Sequence, residues 1–308
     1  MSNDLYKFPI TLVLVGLLSS DTAGVLSSIW LFDAPHLRCL KDLIIYLPPE
    51  YTESCPRGYI AVFGLVGFGG QRKMLLNADP LKENIEDKMN RLISEKKCGP
   101  MVLVLLDCFT RFGGNQYINS SATGRYEDYI IKEIVPFVDK NYNICAHAVW
   151  GHSSGGYGSI VLGMRHPEVF PALADHSGDS AFEYSYLPEF PKALDAFREA
   201  GGPKRWLEDF WKKPNRHQRK DVPPLNVLAM AAHYSPNQKS REMGVDLPFD
   251  LKTGEMVQDV WKESMSSYSL VDILISWPSD FYEYICISFL CDTFVAPRSL
   301  VRDATRFV

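Results

Sequence analysis

The stretch "AVWGHSSGGYGS", residues 148–159, sets two serines between glycines directly after a run of strand-forming residues. Within it, Gly151 to Gly155 fits G-x-S-x-G, the pattern of a serine carried on a sharp strand-to-helix turn. A nucleophilic hydroxyl has to be pushed out on such a turn, and flanking glycines let neighbouring backbone pass without Cβ clashes. The pattern by itself is common, so context decides. Here "HAVW" reads as a strand before it and "GYGSIVLGM" as a helix after it. Ser153 is therefore the candidate nucleophile. The amide of Ser154, opening the helix, is the candidate donor to a developing oxyanion. The bland alternative is a flexible, glycine-rich loop.

Outward from this turn, short apolar runs recur: "DLIIYLP" (42–48), "GYIAVFGL" (58–65), "MVLVLLD" (101–107), "CAHAVWG" (145–151) and "PALADHSG" (171–178). Continuous apolar character, rather than alternation, predicts strands covered on both faces, as in a mostly parallel sheet. Between them lie helical patterns. In "YEDYIIKEIVPFVDKNY" (126–142), Tyr126, Tyr129, Ile130, Ile134, Phe137 and Val138 follow the spacing of one buried face. Pro136 interrupts that rhythm and is expected to kink or end the helix. A second helix is expected from the glycine cluster to just before Pro167. Alternating strands and helices make an α/β sheet with helices on both faces, and functional groups gather at the C-terminal ends of its strands.

Acyl transfer needs a second backbone donor, supplied from a loop after an earlier strand. The segment "GLVGFGG" (64–70) follows "YIAVF", and the amide of Phe68 is the candidate. A dinucleotide loop is the competing reading, but G-x-G-x-x-G fails because Arg72 stands where its last glycine would fall.

The chain has 308 residues, 46% of them hydrophobic, enough to bury a substantial core. One domain is expected. A net charge of −5 leaves no electrostatic footprint for nucleic acid or an anionic membrane. The basic run "WKKPNRHQRK" (211–220) reads as a solvated loop. Seven scattered cysteines form no metal-like spacing with histidine, so neither metal nor other cofactor is implied. Their odd number fits a reducing compartment, and the expected location is cytoplasmic, with secretion the alternative. The stretch "FPITLVLVGLLSS" (8–20) has a signal-like length, but Asp4 and Pro9 and the lack of an A-x-A site favour a first strand.

These motifs belong to longer blocks. "LIIYLPPEY" (43–51), "GFGG" (67–70), "DCFTRFGGNQYINSSATGRYEDYI" (107–130), "GHSSGGYGS" (151–159), "RHPEVF" (165–170), "HSGDSAFEYSYLPEFPKA" (176–193), "YSPN" (234–237) and "GVDLPFDLKTGE" (244–255) resemble the α/β-hydrolase esterase family that includes esterase D and enterochelin-esterase-like proteins. The resemblance spans about residues 40–262 and leaves 263–308 divergent. It implies a carboxylic ester or thioester of a small molecule as substrate, Ser153 as nucleophile, and the Ser154 and Phe68 amides as oxyanion hole. Asn119, Arg125 and Tyr126, in a segment after a strand end, are candidate substrate contacts, with a hydrogen-bonded structural loop as the alternative.

The family's triad runs serine, acid, histidine, with the histidine near the C-terminus. This sequence departs from that order, because no histidine follows His233. A serine hydroxyl needs a positioned base. His233 is the first-ranked substitute and His176, at a predicted strand end, the second; His152 should point away from the site. Asp272, Asp280, Glu283 and Asp292 lie in the divergent tail and none is marked as the triad acid. The other reading is therefore a catalytically impaired or truncated homologue whose final strands are missing or replaced.

Overall fold

In the computed structural model, residues 25–269 are described, apart from 38, 216, 217 and 242. Among the described residues, six strands form the main sheet: β1 (Val25–Ala34), β2 (Cys39–Leu47), β3 (Tyr59–Leu65), β4 (Met101–Leu106), β7 (Ile144–His152) and β8 (Ala172–His176). Two further strands, β5 (Asn119–Ser120) and β6 (Gly124–Arg125), make a small separate ladder. The main sheet runs β1-β2-β4-β3-β7-β8. β2 is antiparallel to both its neighbours, while β4, β3, β7 and β8 run parallel.

All five strands expected from apolar runs are present. β4 is apolar throughout because both faces are covered, and Val102, Val104, Leu105 and Leu106 are all buried. The expected strand at 8–20 and the tail from 270 onward lie outside the described residues. β1 was not anticipated from the sequence.

The helices are α1 (Ile85–Ser94), α2 (Tyr126–Asp128), α3 (Val135–Asn141), α4 (Ser154–Arg165), α5 (Phe182–Ser185), α6 (Phe190–Ala200), α7 (Pro203–Lys212) and α8 (Val222–Tyr234). The coil does not end at Pro136 as expected. A π-helical turn, Tyr129–Ile134, joins α2 to α3, and Pro136 falls in the first turn of α3, where a missing N–H matters little. α4 stops at Arg165, ahead of Pro167 as expected.

Chain order and spatial order together fix where a ligand can sit. From β3 the chain crosses to β4 on one side and then to β7 on the other. The loops leaving the C-terminal ends of β3 and β7 therefore diverge at a topological switch point, where open α/β sheets form a crevice. α4 rises from the end of β7 and is buried from Ser154 to Met164, with Tyr157, Ile160 and Val161 in one core with Phe63, Val104 and Val149.

Candidate active site

Ser153 joins β7 to α4 at φ 56°, ψ −122°, a conformation rare for a residue with a Cβ. Its N–H donates to the His176 carbonyl at 2.9 Å, and its own carbonyl accepts the Tyr157 N–H at 3.0 Å. The turn is too tight for side chains beside it. A Cβ on Gly151 would lie 2.0 Å from the Gly155 oxygen, and one on Gly156 would lie 2.1 Å from Asp175 Oδ1. The glycines of the motif thus let the start of α4 fold back over the ends of β3 and β7.

The loop after β3 touches this turn. A Cβ on Gly67 would stand 3.0 Å from the His152 carbonyl oxygen and 3.1 Å from Ser153 Cβ. The loop is pinned from the far side. Tyr117 Oη donates to the Val66 carbonyl at 2.6 Å, Gly69 N–H to Gly113 O at 2.8 Å, and Gly70 N–H to Gly67 O at 2.9 Å. Gly69 has φ 76°, and Phe68 packs on Gly114 so closely that a Cβ there would meet its ring at 2.5 Å. The Phe68 peptide is therefore adjacent to the residue that touches Ser153. Ser154 opens α4, so its N–H has no carbonyl within the helix to bond.

Below the turn lies a buried polar chain that sequence reasoning missed. Gln116 Nε2 donates to Ser154 Oγ at 3.0 Å, Ser154 Oγ to Asp179 Oδ2 at 3.1 Å, and Tyr186 Oη to the same Oδ2 at 2.9 Å. Burial raises the Asp179 carboxyl above its ordinary range, and the hydrogen bonds from Tyr186, Ser154 and Gln116 oppose that rise. Burial likewise raises Asp175, against a 2.8 Å bond from the Gly178 N–H. The one sequence signal for Asp179 was its place in "HSGDS", at the end of a strand.

His152 and His176 are register partners on β7 and β8, both exposed, with ring centroids 4.9 Å apart. Gly67 lies against both His152 and Ser153: its Cβ position would be 3.3 Å from His152 Nδ1 and 3.1 Å from Ser153 Cβ. His233 is different. It is enclosed in α8, its Nδ1–H donates to the Ala229 carbonyl at 2.6 Å, and its Nε2 has no partner among the described residues. Burial lowers it to about 4. Among the described residues no side chain hydrogen-bonds to Ser153 Oγ. His147 pairs with Asp139 and His166 with Glu127, at 2.7 and 2.9 Å; His36 pairs with Glu133.

The expected substrate contacts are occupied locally. Asn119 Oδ1 accepts the Asp128 N–H at 3.1 Å, and Arg125 pairs with Asp128. Tyr126 is buried, edge-on to Tyr129 and under the Lys41 ammonium, which stands 5.5 Å from its ring. Asn119 and Arg125 lie on the β5–β6 hairpin, and Tyr126 opens α2 directly after it. Asp272, Asp280, Glu283 and Asp292 lie outside the described residues. Among the described residues no cluster of three His, Cys, Asp or Glu could hold a metal, and no helix is long and apolar enough to cross a membrane.

A serine on a strained strand-to-helix turn, over a sheet of order 1-2-4-3 continuing to the strand before the elbow, defines an α/β-hydrolase fold. The chain belongs to the esterase family: the family described as "Putative esterase" matches residues 35–239. Curated proteins give no match. Solved structures similar to the chain include a ferulic acid esterase, 20% identical over 52% of this chain and 60% of that one, with a TM-score of 0.44. Another is a fluorophosphonate-binding serine hydrolase of Staphylococcus aureus, 16% identical over 54% and 61%, with a TM-score of 0.43. An S-formylglutathione hydrolase from Agrobacterium tumefaciens is 14% identical over 80% and 83%, with a TM-score of 0.40. The matched part spans about three-fifths of the length of the first two.

Proposed function

We propose that the protein is a serine hydrolase that cleaves a carboxylic ester or thioester of a small molecule through an acyl-enzyme on Ser153. In this reading Ser153 Oγ attacks the carbonyl carbon and its proton passes to an imidazole. The charge that develops on the carbonyl oxygen is taken up by the N–H groups of Ser154 and Phe68. The bond to the leaving oxygen or sulfur breaks as the imidazole returns the proton, and water then hydrolyses the acyl group by the same steps in reverse. The observation that carries the reading is the Ser153 backbone at φ 56° beside the Gly67–Phe68 loop. Of the two substitute bases, His176 fits better than His233. Its carbonyl already bonds the Ser153 N–H and its ring stands exposed by His152, whereas His233 is enclosed. A cytoplasmic location suits the free cysteines 39, 55, 98, 108 and 145.

The test is covalent labelling with a fluorophosphonate probe and mass spectrometry of the labelled peptide. Label on Ser153, lost in Ser153→Ala, is expected; an unlabelled wild type would overturn the reading. A second reading, a ligand-binding homologue with impaired catalysis, is favoured by one observation: no described imidazole hydrogen-bonds to Ser153 Oγ. Turnover of p-nitrophenyl acetate that disappears in Ser153→Ala would exclude it.

A further inference from the structure

We infer that Gln116 and Asp179 are positioning residues that clamp the Ser154 side chain and so hold the Ser154 amide in line for the oxyanion; the inference rests on the serine-hydrolase reading above. Ser154 Oγ is buried and makes one bond of each kind. It accepts from Gln116 Nε2 at 3.0 Å and donates to Asp179 Oδ2 at 3.1 Å. Its single proton is thereby committed to the carboxylate. The two partners come from separate parts of the chain: Gln116 lies 38 residues before Ser154 and Asp179 lies 25 after it. The loops after β4 and β8 thus meet at one hydroxyl at the foot of the elbow.

The floor beneath the acceptor is rigid. Tyr186, which donates to the same Oδ2 at 2.9 Å, packs edge-on against Phe182 at 4.8 Å. Phe182 lies 4.9 Å from the Tyr234 ring, and Tyr157 meets that ring edge-on at 5.7 Å. A side chain bonded on both sides to such a frame cannot change rotamer without leaving buried groups unpaired. Anchoring the side chain restrains Cα, and with it the backbone N–H on the same residue. Donors that are already aimed cost no reorganisation when the oxyanion forms, which is where their catalytic value lies.

The experiment compares wild type, Asp179→Leu, Asp179→Asn, Ser154→Ala and the double variant Asp179→Leu/Ser154→Ala. It reads the rate constant for fluorophosphonate labelling of Ser153, and kcat and KM for p-nitrophenyl acetate. Asp179→Leu and Ser154→Ala should each slow labelling and kcat by about 10- to 100-fold, with KM changed less than about twofold. The double variant should be no slower than the slower single one, because both remove the same clamp. Asp179→Asn should stay within about threefold of wild type, since its amide oxygen still accepts the Ser154 hydroxyl. Folded Asp179→Leu at the wild-type rate, losses that multiply in the double variant, or an Asn variant as slow as Leu would each overturn the inference. If Asp179→Leu does not fold, Ser154→Ala at the wild-type rate overturns it. A wild type without label at Ser153 ends the serine-hydrolase reading itself, whereas a labelled wild type with unchanged variants ends only the clamp.

Discussion

The α-carbon of Gly155 lies so close to the Leu65 carbonyl that a Cβ there would stand 2.1 Å from its oxygen and 2.5 Å from its carbon. This contact sets the first turn of α4 directly on the end of β3, which is why the loop leaving β3 reaches Ser153. Both partners are backbone, so neither can swing aside. Gly155→Ala is expected to cost at least about 3 kcal/mol, above ordinary overpacking. Gly99→Ala, with nothing within 4 Å of the new methyl, should stay within about 0.5 kcal/mol of wild type. Urea midpoints measure both. Equal midpoints for the two variants would show that α4 does not sit on β3.

Ser153 pays for its place in the turn with backbone strain. A non-glycine residue in such a conformation costs of order 1–3 kcal/mol, and φ 56°, ψ −122° mirrors a region open to glycine. Ser153→Gly is therefore expected to be more stable than Ser153→Ala by about 1 kcal/mol, net of the greater freedom glycine has when unfolded. Neither variant should take up a fluorophosphonate. Thermal melts of the two side by side decide it, and an alanine variant as stable as the glycine one would mean the turn stores no strain.

The same turn explains what could be read without coordinates. G-x-S-x-G encodes a local geometry, so Ser153, its strand and its helix were legible, as were β3 and β4, whose covered faces make them apolar throughout. β1 was not, because Ser27 and Ser28 interrupt its apolar pattern just where the register with β2 shifts, between Leu26 and Ser28. The Gln116–Ser154–Asp179 chain was invisible for another reason: its members are brought together only by the crossovers of the sheet. Asn119, Arg125 and Tyr126 are residue types that suit a pocket wall and a tight hairpin equally, so their chemistry does not separate the two readings.

Beneath the loop that carries Phe68, Arg72 is almost wholly buried and pairs with two carboxylates, Asp42 and, at 3.2 Å, Asp107. Lys73 reaches Asp42 at 3.2 Å and Lys41 approaches Asp107 at 3.8 Å. Burial pulls the guanidinium below its ordinary pKa, and Asp107 opposes that. Removing the guanidinium leaves each of these enclosed carboxylates with a single lysine partner, so Arg72→Met is expected to lose up to about 3 kcal/mol. The loss should change little with added salt, because enclosed pairs are poorly screened. Urea unfolding at low and high ionic strength is the measurement. A loss that vanishes in salt would place Arg72 at the surface.

His233 gives a pH dependence whose direction follows from its environment. It is buried, its Nδ1–H is held by the Ala229 carbonyl, and its Nε2 has no partner among the described residues, so a second proton would be stranded there. Burial lowers the imidazole from 6.5 to about 4, while in the unfolded chain it keeps the ordinary value. Between those two pH values the unfolded chain binds a proton that the fold refuses. Stability from this group is therefore intact above pH 6.5 and declines as the pH falls towards 4, by about 3 kcal/mol in all. His233→Gln cannot bind that proton. Its cost at neutral pH, from lost packing and the Ala229 bond, should therefore shrink steadily as the solution is acidified. Urea midpoints of the two proteins at several pH values give the difference directly, with all other titrating groups common to both. A difference that stays constant from pH 7 to pH 4.5 would mean that His233 is open to water.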